Sequence, residues 1–160
     1  MSSRAGAATR LSAMNRRLGG VMTGPGTFAT AVCGMLDVGS GQLWLSSAGG
    51  PEPLLFRMGG GEPATGISGL PMGLLDQGEY NQIERQLEPG DRLLLFSDGA
   101  VEISNRDSEQ LGTDGLLRLL RAVGYPAADL DVNGLEQQML AYSNGIRFND
   151  DLTLFEISLS

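Results

Sequence analysis

The spacing of apolar residues changes period several times along the chain, and each change marks an element. Between residues 7 and 18, Ala7, Leu11, Met14 and Leu18 recur three or four apart, which predicts an amphipathic helix, with Ser2 or Ser3 as its cap and Gly19-Gly20 ending it. The period then falls to two. In TFATAVCGMLDV, Phe28, Val32, Leu36 and Val38 share one face and Ala29, Ala31, Cys33 and Met35 the other, the pattern of a strand covered on both sides. GSGQ turns this strand into LWLSSA as a hairpin. PLLFRM predicts a third strand, broken by Gly59-Gly60-Gly61. EYNQIERQL predicts a fourth, with Ile83 and Leu87 inward, and EPGD turns into a fifth, RLLLFS.

After Asp98-Gly99 the period returns to that of a helix. GLLRLLRAV, from Gly115, aligns Leu116, Leu119, Leu120 and Val123, and a second helix is expected over Asn133 to Tyr142. DLTLFEISL closes the chain as a strand. One helix, five strands, two or three helices and a last strand, joined mostly by hairpin-like links, predict an α+β domain of antiparallel sheets with helices on their outer faces. With 160 residues, one domain is expected.

Composition narrows the chemistry. The chain has no histidine, and all eleven of its basic residues are arginine. No imidazole can act as a base, no lysine can form a Schiff base, and no histidine can hold zinc. A single cysteine, Cys33, in an apolar run, reads as core and allows no intramolecular disulfide. The net charge of −8 argues against a nucleic-acid surface. Arg4, Arg10, Arg16 and Arg17 make the first segment locally basic, as expected of a solvated helix face. No apolar stretch approaches a membrane span or a signal peptide, so a cytoplasmic protein is expected.

Two motifs fail on their own terms. GEPATGIS has Walker-like glycine spacing but places Ile67 where the lysine belongs. DLDVNG resembles the start of a calcium loop, yet Leu140 stands at the twelfth position, and capping of a helix by Asp131 or Asn133 explains it better. Carboxylates remain. Asp98 ends an apolar strand, and Asn149-Asp150-Asp151 precedes another. If those strands are neighbours, the carboxylates converge at one end of a sheet, where like charges require a cation or a proton. Hard oxygen donors of this kind suit Mg²⁺ or Mn²⁺.

Several blocks, in order, resemble a family: TFATAVCGMLDVGSGQLWLSSAGGPEPLLF, GLPMGLL, LEPGDRLLLFSDGAVE and NDDLTLFEI. The chain is similar, from about Leu11 to Leu159, to the metal-dependent (PPM-type) serine/threonine protein phosphatases, and to their bacterial branch named for the stage II sporulation protein E. The resemblance implies an α-β-β-α sandwich of two antiparallel sheets flanked by helices. It also implies two Mn²⁺ or Mg²⁺ ions that activate water against phosphoserine or phosphothreonine. By its SDG and DDLT motifs, Asp98 and Asp150 are metal ligands and catalytic residues, Asp151 shapes the metal site, and Gly99 lets the backbone turn tightly after Asp98. Glu102 falls on an acidic position common in the family, without an assigned role. The implied partner is a phosphorylated regulatory protein, such as a STAS-type anti-sigma-factor antagonist.

The sequence departs from the family in two places. Two initial strands, with a bridging aspartate and a metal-binding glycine, have no counterpart. Ala48-Gly49-Gly50 stands where relatives carry Ala-Gly-His. The expectation is a fold incomplete at the N-terminus: either the C-terminal portion of a longer phosphatase or a short protein with reduced metal binding. Missing strands would expose sheet edges, which invites pairing with another chain, including a homodimer. The alternative function is a phosphatase-like binding module that sequesters the same partners without chemistry.

Overall fold

The computed structural model of the chain describes residues 6–18, 26–57, 60–145, 148 and 150–159. Ser2, Ser3, Arg4, Gly19, Gly20, Gly59 and Asn149, named above, lie outside them. The elements in order are α1 (Ala7–Leu18), β1 (Ala31–Asp37), β2 (Gln42–Ala48), β3 (Leu54–Arg57), β4 (Gly60–Pro63), β5 (Ile83–Gln86), β6 (Arg92–Phe96), α2 (Gly112–Ala122), α3 (Val132–Tyr142) and β7 (Leu154–Ser158). The fold class is α+β, with two antiparallel sheets: β1-β2-β5, and β4-β3-β6-β7. The chain divides into two compact units, one carrying α1 and the first sheet, the other carrying the second sheet with α2 and α3.

In the first unit, the predicted β1–β2 hairpin forms with Asp37 opposite Gln42 and Ala31 opposite Ala48. Its turn is built by Asp37, whose Oδ1 accepts from the N–H groups of Gly39 at 3.0 Å and Ser40 at 3.2 Å. The burial differs from the expectation for β1. Phe28 and Val38 lie outside the strand and are exposed, and β1 itself is half-buried because it forms the edge of its sheet. The central strand β2 is the buried one, with Leu43, Leu45 and Ala48 sealed from solvent. Its two buried serines are satisfied: Ser46 Oγ donates to the Asn81 carbonyl and Ser47 Oγ to that of Gly50. Leu11 of α1 packs with Ala48 and Met72, against which Ala31 and Cys33 also rest, so Cys33 is half-buried core as expected. Burial raises its thiol pKa. Arg10, Arg16 and Arg17 occupy exposed positions on α1, as a solvated face requires.

The second unit corrects the strand count. The glycines after PLLFRM do not end the sheet there; Gly60–Pro63 returns as β4 and pairs with β3, giving six strands before the helices instead of five. Gly61 makes this possible by close approach, since a Cβ at that position would overlap the ring of its cross-strand partner Phe56. β6 lies between β3 and β7. Its Leu94 and Phe96 join Leu54 and Phe56 in a core completed by Leu116, Leu117 and Leu120 of α2, and by Leu135 and Met139 of α3. Each such side chain stabilises by roughly 1.5–3 kcal/mol relative to exposure. α2 starts at Gly112, three residues before the predicted Gly115, with Asp114 in its first turn, where a negative charge favours the helix dipole. α3 starts as expected, capped by Asp131, which accepts from the Gly134 N–H at 2.9 Å. The calcium-loop reading of that segment therefore gives way to capping.

Candidate metal centre

The candidate residues sit where β6 and β7 end together, all within the second unit. The two strands pair antiparallel from Arg92 opposite Ser158 to Phe96 opposite Leu154. The ladder continues one step further, as Ser97 N–H donates to the Thr153 carbonyl at 3.0 Å. Beyond it, β6 curls into a single 3-10 turn, Asp98–Ala100. The Asp98 carbonyl accepts from the N–H groups of Val101 and Glu102, each at 2.9 Å, and Ala100 is fully buried. The apolar run therefore has a structural purpose: it anchors the turn in the core and leaves Asp98 half-buried at its rim.

The opposite backbone is fixed in a similar way. Half-buried Phe148 and Leu152 both pack against the core cluster, so Asp150 and Asp151 are exposed on a short loop pinned at both ends. A Cβ built on Gly99 would stand 2.6 Å from the Asp151 carbonyl oxygen and 3.6 Å from that of Asp150. Gly99, the residue after Asp98, thus lies close against the Asp150-Asp151 backbone. At Gly99 the backbone turns tightly out of β6, and a close approach to the Asp151 carbonyl leaves no room for a side chain there.

The side chains are arranged less simply than the backbones. Asp98 Oδ1 accepts from the Gly99 N–H at 3.1 Å, and Asp150 Oδ1 accepts from the Asp151 N–H at 2.8 Å. Among the described residues, no group of three or more aspartate, glutamate or cysteine side chains lies close enough to hold a metal. Asp98 on the turn and Asp150 on the loop are carboxylates, the donor type of a hard cation such as Mg²⁺ or Mn²⁺, which binds through one or two of them and keeps water in its other positions. By themselves they do not complete a clamp for two ions. Glu102 is exposed, one step past the turn, with its N–H tied to the Asp98 carbonyl. Sequence reasoning missed Ser97. Its hydroxyl donates to the Asp151 carbonyl and accepts from the Thr153 N–H, both at 3.0 Å, and nothing in a strand-terminal serine signals a partner more than fifty residues away.

Among the described residues, no helix is long and apolar enough to cross a membrane. A family model described as stage II sporulation protein E (SpoIIE) matches residues 2–160. In sequence, the chain is 22% identical over 130 residues to Protein IcfG of Synechocystis sp., covering 81% of this chain and 20% of that protein. In structure, it is similar to the SiaA-PP2C domain of Pseudomonas aeruginosa, with a TM-score of 0.82 at 17% identity, over 99% of this chain and 63% of that one. It is also similar to the structure of the RsbU and RsbW domains of Rv1364c from Mycobacterium tuberculosis, with a TM-score of 0.66 at 27% identity, over 88% and 38% of the respective chains. The phosphatase domain of SpoIIE from Bacillus subtilis matches with a TM-score of 0.61 at 13% identity, over 99% and 76%. The chain thus spans a fifth of the first of these relatives and under two thirds of the second. With a family model covering nearly its whole length and a fold shared with PP2C-type domains, the chain belongs to the SpoIIE family of PPM-type phosphatase domains.

Proposed function

We propose that this chain hydrolyses phosphoserine or phosphothreonine on a regulatory protein, with Asp98 and Asp150 as the carboxylates that bind Mn²⁺ or Mg²⁺. The observation that supports this reading is the close approach of Gly99, next to Asp98, to the Asp150-Asp151 backbone, at the shared end of β6 and β7. Bound metal would supply an activated water and neutralise phosphate oxygens. The protein's own part is to hold Asp98 on a turn rooted in the core, and to hold Asp150 on a loop pinned by Phe148 and Leu152. Asp151 and Gly99 shape the site, through the Asp151 carbonyl and the space that Gly99 leaves for it. The proposed partner is a phosphorylated regulatory protein, such as a STAS-type anti-sigma-factor antagonist. The solved structure joining RsbU and RsbW domains supports a regulatory setting, as does that of PppA, described as a key regulatory component of T6SS.

A second reading, a binding module without chemistry, draws support from the lack of a three-carboxylate cluster among the described residues and from Gly50 in Ala48-Gly49-Gly50. Release of phosphate from a phosphoserine protein, with and without Mn²⁺, separates the two. On the enzymatic reading, turnover requires Mn²⁺ and Asp98→Asn lowers it about 100-fold or more, since metal charge stabilisation is worth several kcal/mol. Turnover equal in wild type and Asp98→Asn removes the metal role. Partner binding that persists with chelator and with both aspartates replaced, in the absence of turnover, establishes the binding module.

A further inference from the structure

Ser97 stands between the last ladder pair of β6 and Asp98, and its backbone is extended, with φ −78° and ψ 161°. A serine before a helical turn ordinarily turns its hydroxyl onto that turn as a cap, but Ser97 makes no such bond. Its Oγ reaches across to the other strand. It donates to the Asp151 carbonyl at 3.0 Å and accepts from the Thr153 N–H at 3.0 Å. With the main-chain bond from Ser97 N–H to the Thr153 carbonyl, residue 97 is tied to the opposite segment three times. Asp98 follows it directly, and Asp150 directly precedes the residue that its hydroxyl holds.

The ladder stops at this end of the sheet, and strand ends without ladder bonds are free to splay. A hydroxyl that both donates and accepts resists this from both directions. We propose that Ser97 is a positioning residue: its hydroxyl sets the spacing between the backbone that carries Asp98 and the one that carries Asp150, and so sets the affinity of that pair for Mn²⁺. The proposal rests on the metal-binding reading of the two aspartates. It assigns Ser97 no contact with metal or substrate. Residues that orient metal ligands in this way typically change metal affinity by about 10–100-fold when altered.

The test uses the whole chain with Ser97→Ala and Ser97→Thr, and reads amide exchange in chelator alongside Mn²⁺ titration calorimetry. In Ser97→Ala the Thr153 amide, which loses its acceptor, exchanges about tenfold faster. Mn²⁺ binds about 10–100-fold more weakly. Ser97→Thr restores both, because it keeps the hydroxyl at the same atom. Exchange at Thr153 unchanged by Ser97→Ala overturns the cross-link itself. Faster exchange with wild-type Mn²⁺ affinity overturns its role toward the aspartates, and equal weakening in both variants reduces it to a packing effect. A wild-type chain that binds no Mn²⁺, while its Thr153 exchange still responds, overturns the metal reading and with it the affinity part of the proposal.

Discussion

Gly99 shows how much of the site depends on one missing side chain. Asp98 and Asp150 come from segments about fifty residues apart, and their backbones meet only because nothing projects from Gly99 toward the Asp151 carbonyl, 2.6 Å from where a Cβ would lie. That atom is backbone and cannot rotate away. Gly99→Ala therefore pushes the 150–153 loop off β6, stretches both hydrogen bonds of the Ser97 hydroxyl, and costs about 1–3 kcal/mol, as overpacking at a buried position does. Urea unfolding with and without Mn²⁺ measures it. The metal-dependent part of the stability should fall further than the metal-free part, because the substitution displaces the Asp150-bearing backbone as well as straining the fold. Equal losses in the two conditions would mean that the loop relaxes without moving Asp150.

At the scale of elements, β3 and β4 make the complementary case, a glycine that lets a strand form where sequence reading ends one. Gly61→Val places a branched side chain against the Phe56 ring, so β4 is expected to detach, with a loss of about 1–3 kcal/mol in denaturation midpoint measurements. Glu62→Val, at the exposed neighbouring position of the same strand, should shift stability by less than about 0.5 kcal/mol. The contrast explains which elements could be read in advance. Ala7 and Leu11 of the α1 stripe, the Asp37 turn, the Asp131 cap and the apolar run of β6 are written in contiguous residues, so period and turn chemistry reveal them, whereas Met14, predicted on the same stripe, is exposed. β4 is written in a ring lying over a glycine across the hairpin, which no local pattern records. The same holds for Asn15 on α1. It is buried, donates to the Leu75 carbonyl and accepts from the Gly73 N–H, both at 2.8 Å, yet in sequence it is one polar residue in an amphipathic helix. The candidate site divides in the same way: Asp98 and Asp150 were legible as strand-end carboxylates, whereas Ser97 owes its role to partners 54 and 56 residues away.

For the molecule as a whole, the lack of histidine and lysine makes the pH response unusually simple. All eleven basic residues are arginine, which stays protonated throughout the accessible range. Between about pH 6 and 8 no side chain of this composition ordinarily titrates, since the one cysteine does so at about 8.5 and burial raises Cys33 further in the folded chain. Stability should therefore be nearly flat there. Above it the unfolded chain loses the Cys33 proton first, from about pH 8.5, and the tyrosines then decide the larger fall. Burial pushes the Tyr125 phenol far above its ordinary value; the Glu156 carboxylate raises it further and the Arg92 guanidinium offsets part of this. Burial alone raises Tyr80, in the other unit. A raised folded-state pKa means that near pH 10 and above the unfolded chain releases a proton that the folded chain keeps. The stabilisation is complete below the unfolded value of about 10 and is lost as pH rises through it toward the folded value. Urea midpoints at pH 6, 8 and 11 should be level across the first two and fall at the third. Tyr125→Phe should remove most of that fall and Tyr80→Phe a smaller part, since a phenyl ring has no proton to lose. A decline already present between pH 6 and 8, or one unchanged in both variants, would place the alkaline sensitivity in the 19 carboxylates' mutual repulsion within a chain of net charge −8 instead of in the buried phenols.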